Sequence, residues 1–269
     1  MDFRNLGITW LGQGGFLLEL GGVRIAVDPY LSDSLRGEGL KRSFPPPVSL
    51  KELQPDIICC THDHKEHFDD HTVLPLYEMF PDCMVLGPES VIRHARRLGL
   101  NPARMVTLRA GENSYTYNGV RIKPTVDYLD REPQAIGLAV GFGDCRIYIS
   151  GSTRYENGLV ESVLETLDGT PDIIMVCING RMGNMSDSEA VEIVERLQPH
   201  VAIPSHFGLF AKNTADPRPF LEEVTELGIQ ALMPVPGRRE VFPVEVASME
   251  GAKKTLQTKV LDRAMAFFW

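Results

Sequence analysis

Short apolar segments divided by glycine-rich turns occupy the start of the chain. Residues 8–11, 15–20 and 23–27 are such segments, and Gly-Gln-Gly-Gly and Gly-Gly separate them. Glycine pairs between apolar segments are typical of tight turns between β-strands, so three strands are predicted here. Residues 31–49 mix polar and apolar positions and contain three consecutive prolines, which predicts a loop.

Later segments alternate between strand and helix patterns. A buried strand is predicted at 56–60, and helical patterns follow at 74–80 and 90–98. Further strand patterns lie at 84–86, 105–108, 114–117, 120–124, 135–140, 146–149, 172–178 and 201–204. Two halves of this kind predict two packed sheets with helices outside, a four-layer α/β arrangement in a single domain that spans residues 1–269.

Two late helices have recognisable start signals. Ser186 and Glu189 form a capping-box pattern at the start of a helix that should end at Leu197. Asp216-Pro217 begins another, because Asp caps helices and Pro is tolerated at the first helical position. Gly228 should end that second helix.

Composition and charge narrow the range of partners and of cellular locations. A net charge of −9 without a long basic run disfavours nucleic acid and anionic membranes as partners. Five irregularly spaced cysteines predict buried, reduced thiols. We recognise no signal peptide and no apolar run of about 18 residues. These features predict a cytoplasmic protein whose partner is a small-molecule substrate.

Three of the seven histidines lie within six residues, directly after the buried strand predicted at 56–60. They are His62, His64 and His67, and carboxylates lie among them at Asp63 and Glu66. Imidazole binds zinc, iron, copper and nickel, and carboxylate oxygen extends the range to manganese. A solvated polar loop is the alternative, but clustering after a buried strand favours a metal site.

The segment Thr61-His62-Asp63-His64-Lys65-Glu66-His67 resembles the His-x-His-x-Asp-His motif of the metallo-β-lactamase superfamily. Continued through Asp69, the pattern is similar to the L-ascorbate-6-phosphate lactonase branch. Residues 8–13, 28–31, 178–185 and 203–207 resemble other segments of that branch. The resemblance implies a metallo-β-lactamase-like αββα sandwich with metal ions at one edge, between the two sheets.

Carried over by position, the resemblance also implies a set of metal ligands. His62 and His64 would bind one metal. Glu66 stands where the family has the Asp that binds a second metal, with His67 and His206 beside it.

Two positions depart from the family pattern. Ser152, within Ser150-Gly151-Ser152-Thr153, stands where the family has the Asp that bridges two metals. Val126 or Asp127 stands where the family has a further His, and only Asp127 can bind a metal. Two dications without a bridging anion repel each other strongly. We therefore expect one divalent ion, Zn²⁺ or Mn²⁺, rather than two, and a metal-free site is the remaining alternative.

The expected function is that of a metal-dependent hydrolase. A bound metal would lower the pKa of a water, and the resulting hydroxide would attack a lactone or related ester. Glu66 and Asp127 are the candidate catalytic residues, because either could position the water or move a proton. The resemblance implies a sugar-acid lactone, free or phosphorylated, as substrate. The alternatives are a phosphodiesterase of the same fold and a catalytically impaired member that binds a metabolite or a protein partner.

Residues outside the motif complete the predicted site. Asn179, Arg181 and Arg154 are candidates for substrate binding; the alternatives are loop stabilisation for the Asn and surface ion pairs for the arginines. Asp28 and Asp63 are candidates to orient the histidines.

Two further features lie away from the predicted ligands. His94 carries no pattern and is expected to be solvated. The apolar tail at 264–269 predicts burial against the core or in a homo-oligomer, and the oligomeric lactonase branch favours the second.

Overall fold

The computed structural model describes residues 5–129 and 135–244. Within these ranges the strands, numbered in chain order, are β1 (Asn5–Gly12), β2 (Gly15–Leu20), β3 (Val23–Val27), β4 (Ile57–Cys59), β5 (Met84–Gly87), β6 (Met105–Thr107), β7 (Tyr115–Tyr117), β8 (Val120–Val126), β9 (Ile136–Phe142), β10 (Cys145–Ile149), β11 (Ile173–Cys177), β12 (Val201–Ser205), β13 (Gln230–Ala231) and β14 (Arg239–Pro243). The α-helices are α1 (Leu50–Leu53), α2 (Asp70–Met79), α3 (Glu89–Arg97), α4 (Leu159–Leu167), α5 (Asp187–Leu197) and α6 (Arg218–Glu226). The apolar tail predicted at 264–269 lies outside the described residues.

The strands form two mixed sheets with the same plan. The first has the order β14-β1-β2-β3-β4-β5-β6 and the second has the order β13-β12-β11-β10-β9-β8-β7. In each sheet three antiparallel pairs adjoin three parallel pairs. Parallel neighbours need a crossover connection, and a helix supplies each one: α1 to α3 in the first sheet and α4 to α6 in the second.

Strand β4 shows how the layers form. Ile57 and Cys59 face the core shared with the second sheet, which contributes residues such as Ile122 and Ile147. Ile58 and Cys60 face the opposite side and pack with α2 and α3 residues. Because successive side chains of a strand point to opposite faces, one apolar segment supplies two layers. The αββα arrangement predicted from the sequence is confirmed.

Most predicted elements occur within one or two residues of their expected positions. The capping box of α5 is present, because Ser186 accepts from the Glu189 amide and Glu189 accepts from the Ser186 amide. Helix α6 begins one residue later than predicted, with Pro217 as its N-cap. Helix α4, the short α1 and the last strands, β13 and β14, lie where no element was predicted.

The fold also bears on two composition-based predictions. All five cysteines are buried and unpaired by disulfides, as predicted. Within residues 5–129 and 135–244, none of the helices has the length and apolar character needed to cross a bilayer.

Candidate metal centre

The candidate residues lie directly after the ends of several strands, at one edge of the two sheets. Asp28 follows β3, and the loop with His62 follows β4. From the second sheet, Ser152 follows β10 and His206 follows β12. Ligands of α/β sheets typically lie beyond the carboxyl ends of the strands, where loops from neighbouring strands converge.

Four histidines come together at this edge. His62 Nε2 lies 3.0 Å from His64 Nδ1. The ring centroids of His62 and His67 are 3.9 Å apart, and those of His67 and His206 are 5.3 Å apart. The predicted imidazole ligands from the two sheets therefore form one cluster.

Asp28 fixes the orientation of His67. One carboxylate oxygen lies 2.7 Å from His67 Nδ1, and the carboxylate also accepts from the amide and the hydroxyl of Thr61, both at 2.7 Å. A carboxylate only accepts, so Nδ1 is the donor and Nε2 is left free to face the cluster. Carboxylate–histidine pairs of this kind orient imidazole ligands in metal sites.

Ser152 lies between the imidazoles of His67 and His206. Its Oγ is 3.0 Å from His206 Nε2 and 3.4 Å from His67 Nε2. The hydroxyl has one proton, so it donates to only one of these nitrogen atoms. Ser152 thus occupies the position of a bridging group without supplying negative charge.

The turn between β1 and β2 closes one side of the cluster. The carbonyl of Gln13 accepts from the His206 amide at 3.0 Å and from Trp10 Nε1 at 3.1 Å. A Cβ on Gly14 would lie 2.6 Å from His206 Cε1 and 3.2 Å from His67 Cε1. The turn therefore packs directly against two of the imidazoles, and only glycine fits at its tip.

Three residues around the cluster have left-handed backbone conformations. The φ angles are +51° at Gln13, +43° at Asp28 and +59° at His206. Such conformations cost roughly 1–3 kcal/mol each and persist where the surrounding structure fixes them. Their concentration here is typical of a functional site.

The imidazoles differ in their protonation. Burial lowers the pKa of His62 and of His206 well below the ordinary value, and the neighbouring imidazoles act in the same direction. Burial also lowers the pKa of His67, but the carboxylates of Asp28, Glu66 and Asp127 together outweigh it and the net pKa is raised. His62 and His206 are therefore neutral near pH 7 and hold lone pairs that a metal can accept.

The two candidate catalytic carboxylates lie beside the cluster in different environments. Glu66 is half-buried and helps raise the pKa of His67. Asp127 Oδ1 accepts from the Leu129 amide at 2.7 Å, whereas its Oδ2 is buried without a partner among the described residues. Burial raises the pKa of Asp127 to about 7.

The chemistry of the donor set fits a divalent ion. Within the described ranges, no three His, Cys, Asp and Glu side chains are already arranged as a metal-binding group. The imidazoles pair with one another and with Ser152. These contacts use the nitrogen lone pairs that a metal would take. Neutral imidazoles, one oriented by a carboxylate, and the unpartnered Asp127 Oδ2 are the donors that zinc and manganese prefer.

Comparison with known proteins places this geometry in a family. A family model described as the beta-lactamase superfamily domain matches residues 7–206, most of the chain. The chain belongs to the beta-lactamase superfamily. The superfamily assignment and the fold predicted from the histidine motif are thereby confirmed.

Relatives within the superfamily are similar along most of their length. A UPF0173 protein from Pyrococcus abyssi is 29% identical over 78% of this chain and 87% of its own length. A UPF0173 metal-dependent hydrolase from Methanopyrus kandleri is 28% identical over 82% of this chain and 93% of its own length. These names carry no substrate, so the lactonase branch stays a prediction.

A solved structure of similar fold is a metallo hydrolase from Ignicoccus hospitalis. It superposes with a TM-score of 0.74 at 19% identity and covers 90% of this chain and 100% of its own. At this identity the likeness concerns the superfamily fold alone.

The three residues predicted to bind substrate differ in the contacts that their side chains already make. Asn179 is buried and bonded to Asn213 and Asn184, at 2.6 and 2.9 Å, which favours loop stabilisation. Arg154 forms an ion pair with Glu156 at 2.8 Å. Arg181 is exposed and forms no ion pair with a described residue.

His94 was expected to be solvated, but its ring is mostly buried and contacts two carboxylates. Its ring lies between the carboxylates of Asp63 and Asp70, with Phe68 against it. Asp63 therefore pairs with His94 instead of orienting a histidine of the cluster, and it ties the histidine loop to α3. A carboxylate between two candidate ligands and a histidine on a nearby helix was the only sequence signal for this contact.

Proposed function

We propose that this chain is a hydrolase that uses one divalent metal ion. The observation that carries the proposal is the convergence of four imidazoles from two sheets, His62, His64, His67 and His206, with His67 fixed by Asp28. Relatives that are similar along most of their length are named metal-dependent hydrolases, which supports the proposal. Ser152 supports one ion over two, because its hydroxyl does not offset the repulsion between two dications.

The four imidazoles would hold the ion, and Glu66 or Asp127 would add carboxylate oxygen. Zn²⁺ and Mn²⁺ match this mixture of donors. A bound ion supplies Lewis acidity, which polarises a carbonyl or phosphoryl oxygen of the substrate.

Side chains of the protein would orient the ligands and transfer protons. Asp28 keeps His67 Nε2 directed at the cluster. Asp127 is the stronger candidate for proton transfer, because its pKa of about 7 allows Oδ2 to take a proton from water and return it to the leaving oxygen. Glu66 is the second candidate, and its half-buried carboxylate can position water.

We further propose a sugar-acid lactone, free or phosphorylated, as the substrate. The resemblance of the histidine segment to the lactonase branch supports this class. The exposed Arg181 is available for a phosphate group, since it forms no ion pair with a described residue. A phosphodiester is the second substrate class, because it presents the same oxygen chemistry to the imidazole cluster.

The test combines metal content with turnover. Purified protein should contain about one Zn²⁺ or Mn²⁺ per chain, and it should hydrolyse lactones or phosphodiesters when either metal is added. His64→Ala should lose metal and activity together. His200→Ala is the matched control: His200 is exposed and pairs with Asp172 outside the cluster, so both properties should be retained.

A catalytically impaired member that binds a metabolite or a protein is the other candidate function. Ser152 favours it, because a hydroxyl stands where the family pattern has the carboxylate that bridges two metals. Stable wild-type protein with no metal and no turnover under any metal would replace the hydrolase proposal with this one.

A further inference from the structure

Gln13 carries a buried amide without a hydrogen-bond partner among the described residues. The residue is fully buried, and both Oε1 and Nε2 lack such a partner. An unpaired buried polar group is destabilising, and the large majority of buried side-chain polar atoms in proteins are paired. An unpartnered amide with two orphan atoms therefore indicates a missing ligand more than a tolerated defect.

The backbone of Gln13 is held beside the imidazole cluster. Gln13 has a left-handed φ of +51°, and its carbonyl is held by the His206 amide and by Trp10 Nε1. The turn cannot shift without breaking both hydrogen bonds. The Gln13 backbone is thus anchored to that of His206, in a conformation that a non-glycine residue rarely adopts.

The same turn borders the imidazole cluster. Gly14 is so close to His206 and His67 that a Cβ would collide with the first. Solvent does not reach the Gln13 side chain, so a partner for it has to enter the protein. The space beside His67, His206 and Ser152 is the polar site that this turn touches.

We propose that the side-chain amide of Gln13 binds an oxygen atom of a substrate held at the imidazole cluster, beside His67 and His206. This inference rests on the proposed hydrolase function and adds a substrate-binding residue to it. Nε2 donates to a carbonyl, carboxylate or phosphoryl oxygen, and Oε1 accepts from a substrate hydroxyl. A sugar acid and its phosphate ester present both kinds of group.

The unpaired amide of Gln13 destabilises the free protein, and this explains how the residue would favour ligand binding. A group that is desolvated and fixed before the ligand arrives does not lose hydration when it binds. Its hydrogen bond to a charged oxygen is also strengthened by the low local dielectric. The free protein is less stable for it, and the ligand-bound protein recovers that stability.

A stability measurement and a binding measurement test this together. Gln13→Met keeps the length of the side chain and removes both polar atoms. In metal-free protein the variant should melt at a higher temperature than wild type, because the unpaired amide is gone. Its affinity for inorganic phosphate and acetate, measured by calorimetry with and without Zn²⁺, should fall roughly tenfold, while Zn²⁺ stoichiometry should match wild type.

Two further variants make the comparison sharp. Ser90→Ala removes a different buried polar group without a partner, the Ser90 hydroxyl, which lies on α3 outside the cluster. This variant should raise the melting temperature without changing phosphate binding. Gln13→Glu keeps the size but replaces the donor by a carboxylate, so it should abolish phosphate binding through repulsion.

The outcomes separate this inference from the function on which it rests. Phosphate affinity of Gln13→Met within about twofold of wild type, or no phosphate or acetate binding by wild type, overturns the inference. Loss of Zn²⁺ in Gln13→Met also overturns it, because Gln13 would then be a metal ligand. If wild type binds no metal but its phosphate binding depends on Gln13, the hydrolase proposal fails and the anion-binding role of Gln13 stands.

Discussion

Asp28 Oδ2 and His67 Nδ1 lie 2.7 Å apart, and both side chains are almost completely buried. The contact joins the end of β3 to the histidine loop that follows β4. Since the same carboxylate also holds Thr61, the loop is anchored at two residues. The orientation of His67 is therefore set by a residue distant in sequence.

Replacing this carboxylate should weaken metal binding. Asp28→Asn keeps the shape but loses the charge that makes Nδ1 the donor and raises the pKa of His67. Metal affinity, measured by competition with a chelator, should fall about 10–100-fold. Asp168→Asn is the control, since Asp168 is exposed and pairs with Lys123 away from the cluster. Equal affinities of the two variants would show that Asp28 does not support a metal ligand.

Restoring a carboxylate at position 152 should change metal stoichiometry. Ser152 Oγ lies within 3.4 Å of both His67 Nε2 and His206 Nε2, so an Asp there can reach both sides of the cluster. Ser152→Asp should bind about two Zn²⁺ per chain where wild type binds about one, because the added anion offsets metal–metal repulsion. Ser152→Ala should remain at the wild-type value. Two metals in wild type would contradict the single-ion proposal.

The carboxyl of Asp127 should make the stability of metal-free protein depend on pH. Burial raises its pKa from 3.8 to about 7, so the folded state holds this proton more tightly than the unfolded state does. The contribution to stability is complete below about pH 4 and is lost as the pH rises through about 7. In EDTA, the urea midpoint of wild type relative to that of Asp127→Asn should fall as the pH rises from about 4 to about 7. The two proteins are compared at the same pH, because the lowered pKa values of His62 and His206 change stability in the opposite direction in both. A difference that stays constant with pH would show that the pKa of Asp127 is not raised.

Adding a methyl group at Gly14 should disturb the cluster. The new Cβ of Gly14→Ala would lie 2.6 Å from His206 Cε1, and overpacking of this kind costs about 1–3 kcal/mol of unfolding free energy. Metal affinity should fall with stability, because His206 has to move. Gly37→Ala is the matched control, since no atom lies within 4 Å of its Cβ position. Urea unfolding and chelator competition of both variants provide the comparison. Unchanged metal affinity in Gly14→Ala would show that the turn does not support metal binding.

The outcome for individual residues shows where sequence reasoning was sufficient. The segment from His62 to His67 is contiguous, so its residue types and spacing already indicated a metal site. Ser152 and Asp127 were recognised as departures only because the family pattern supplied a comparison. His94 was missed, because its contacts with Asp63 and Asp70 join elements that periodicity does not relate. Gln13 lay inside a recognised segment, but nothing in the sequence distinguished its amide from that of a surface turn.

The sequence by itself determined most of the strands and helices, the two-sheet architecture and the histidine loop, since apolar periodicity and local capping act between residues near in the chain. Only the tertiary structure decided which side chains meet at the sheet edge. The pairing of Asp28 with His67, the position of Ser152 between His67 and His206, and the burial of the Gln13 amide depend on how strands distant in sequence pack together. Burial and distance then determine charge and hydrogen bonding at the site, and no local pattern encodes either quantity.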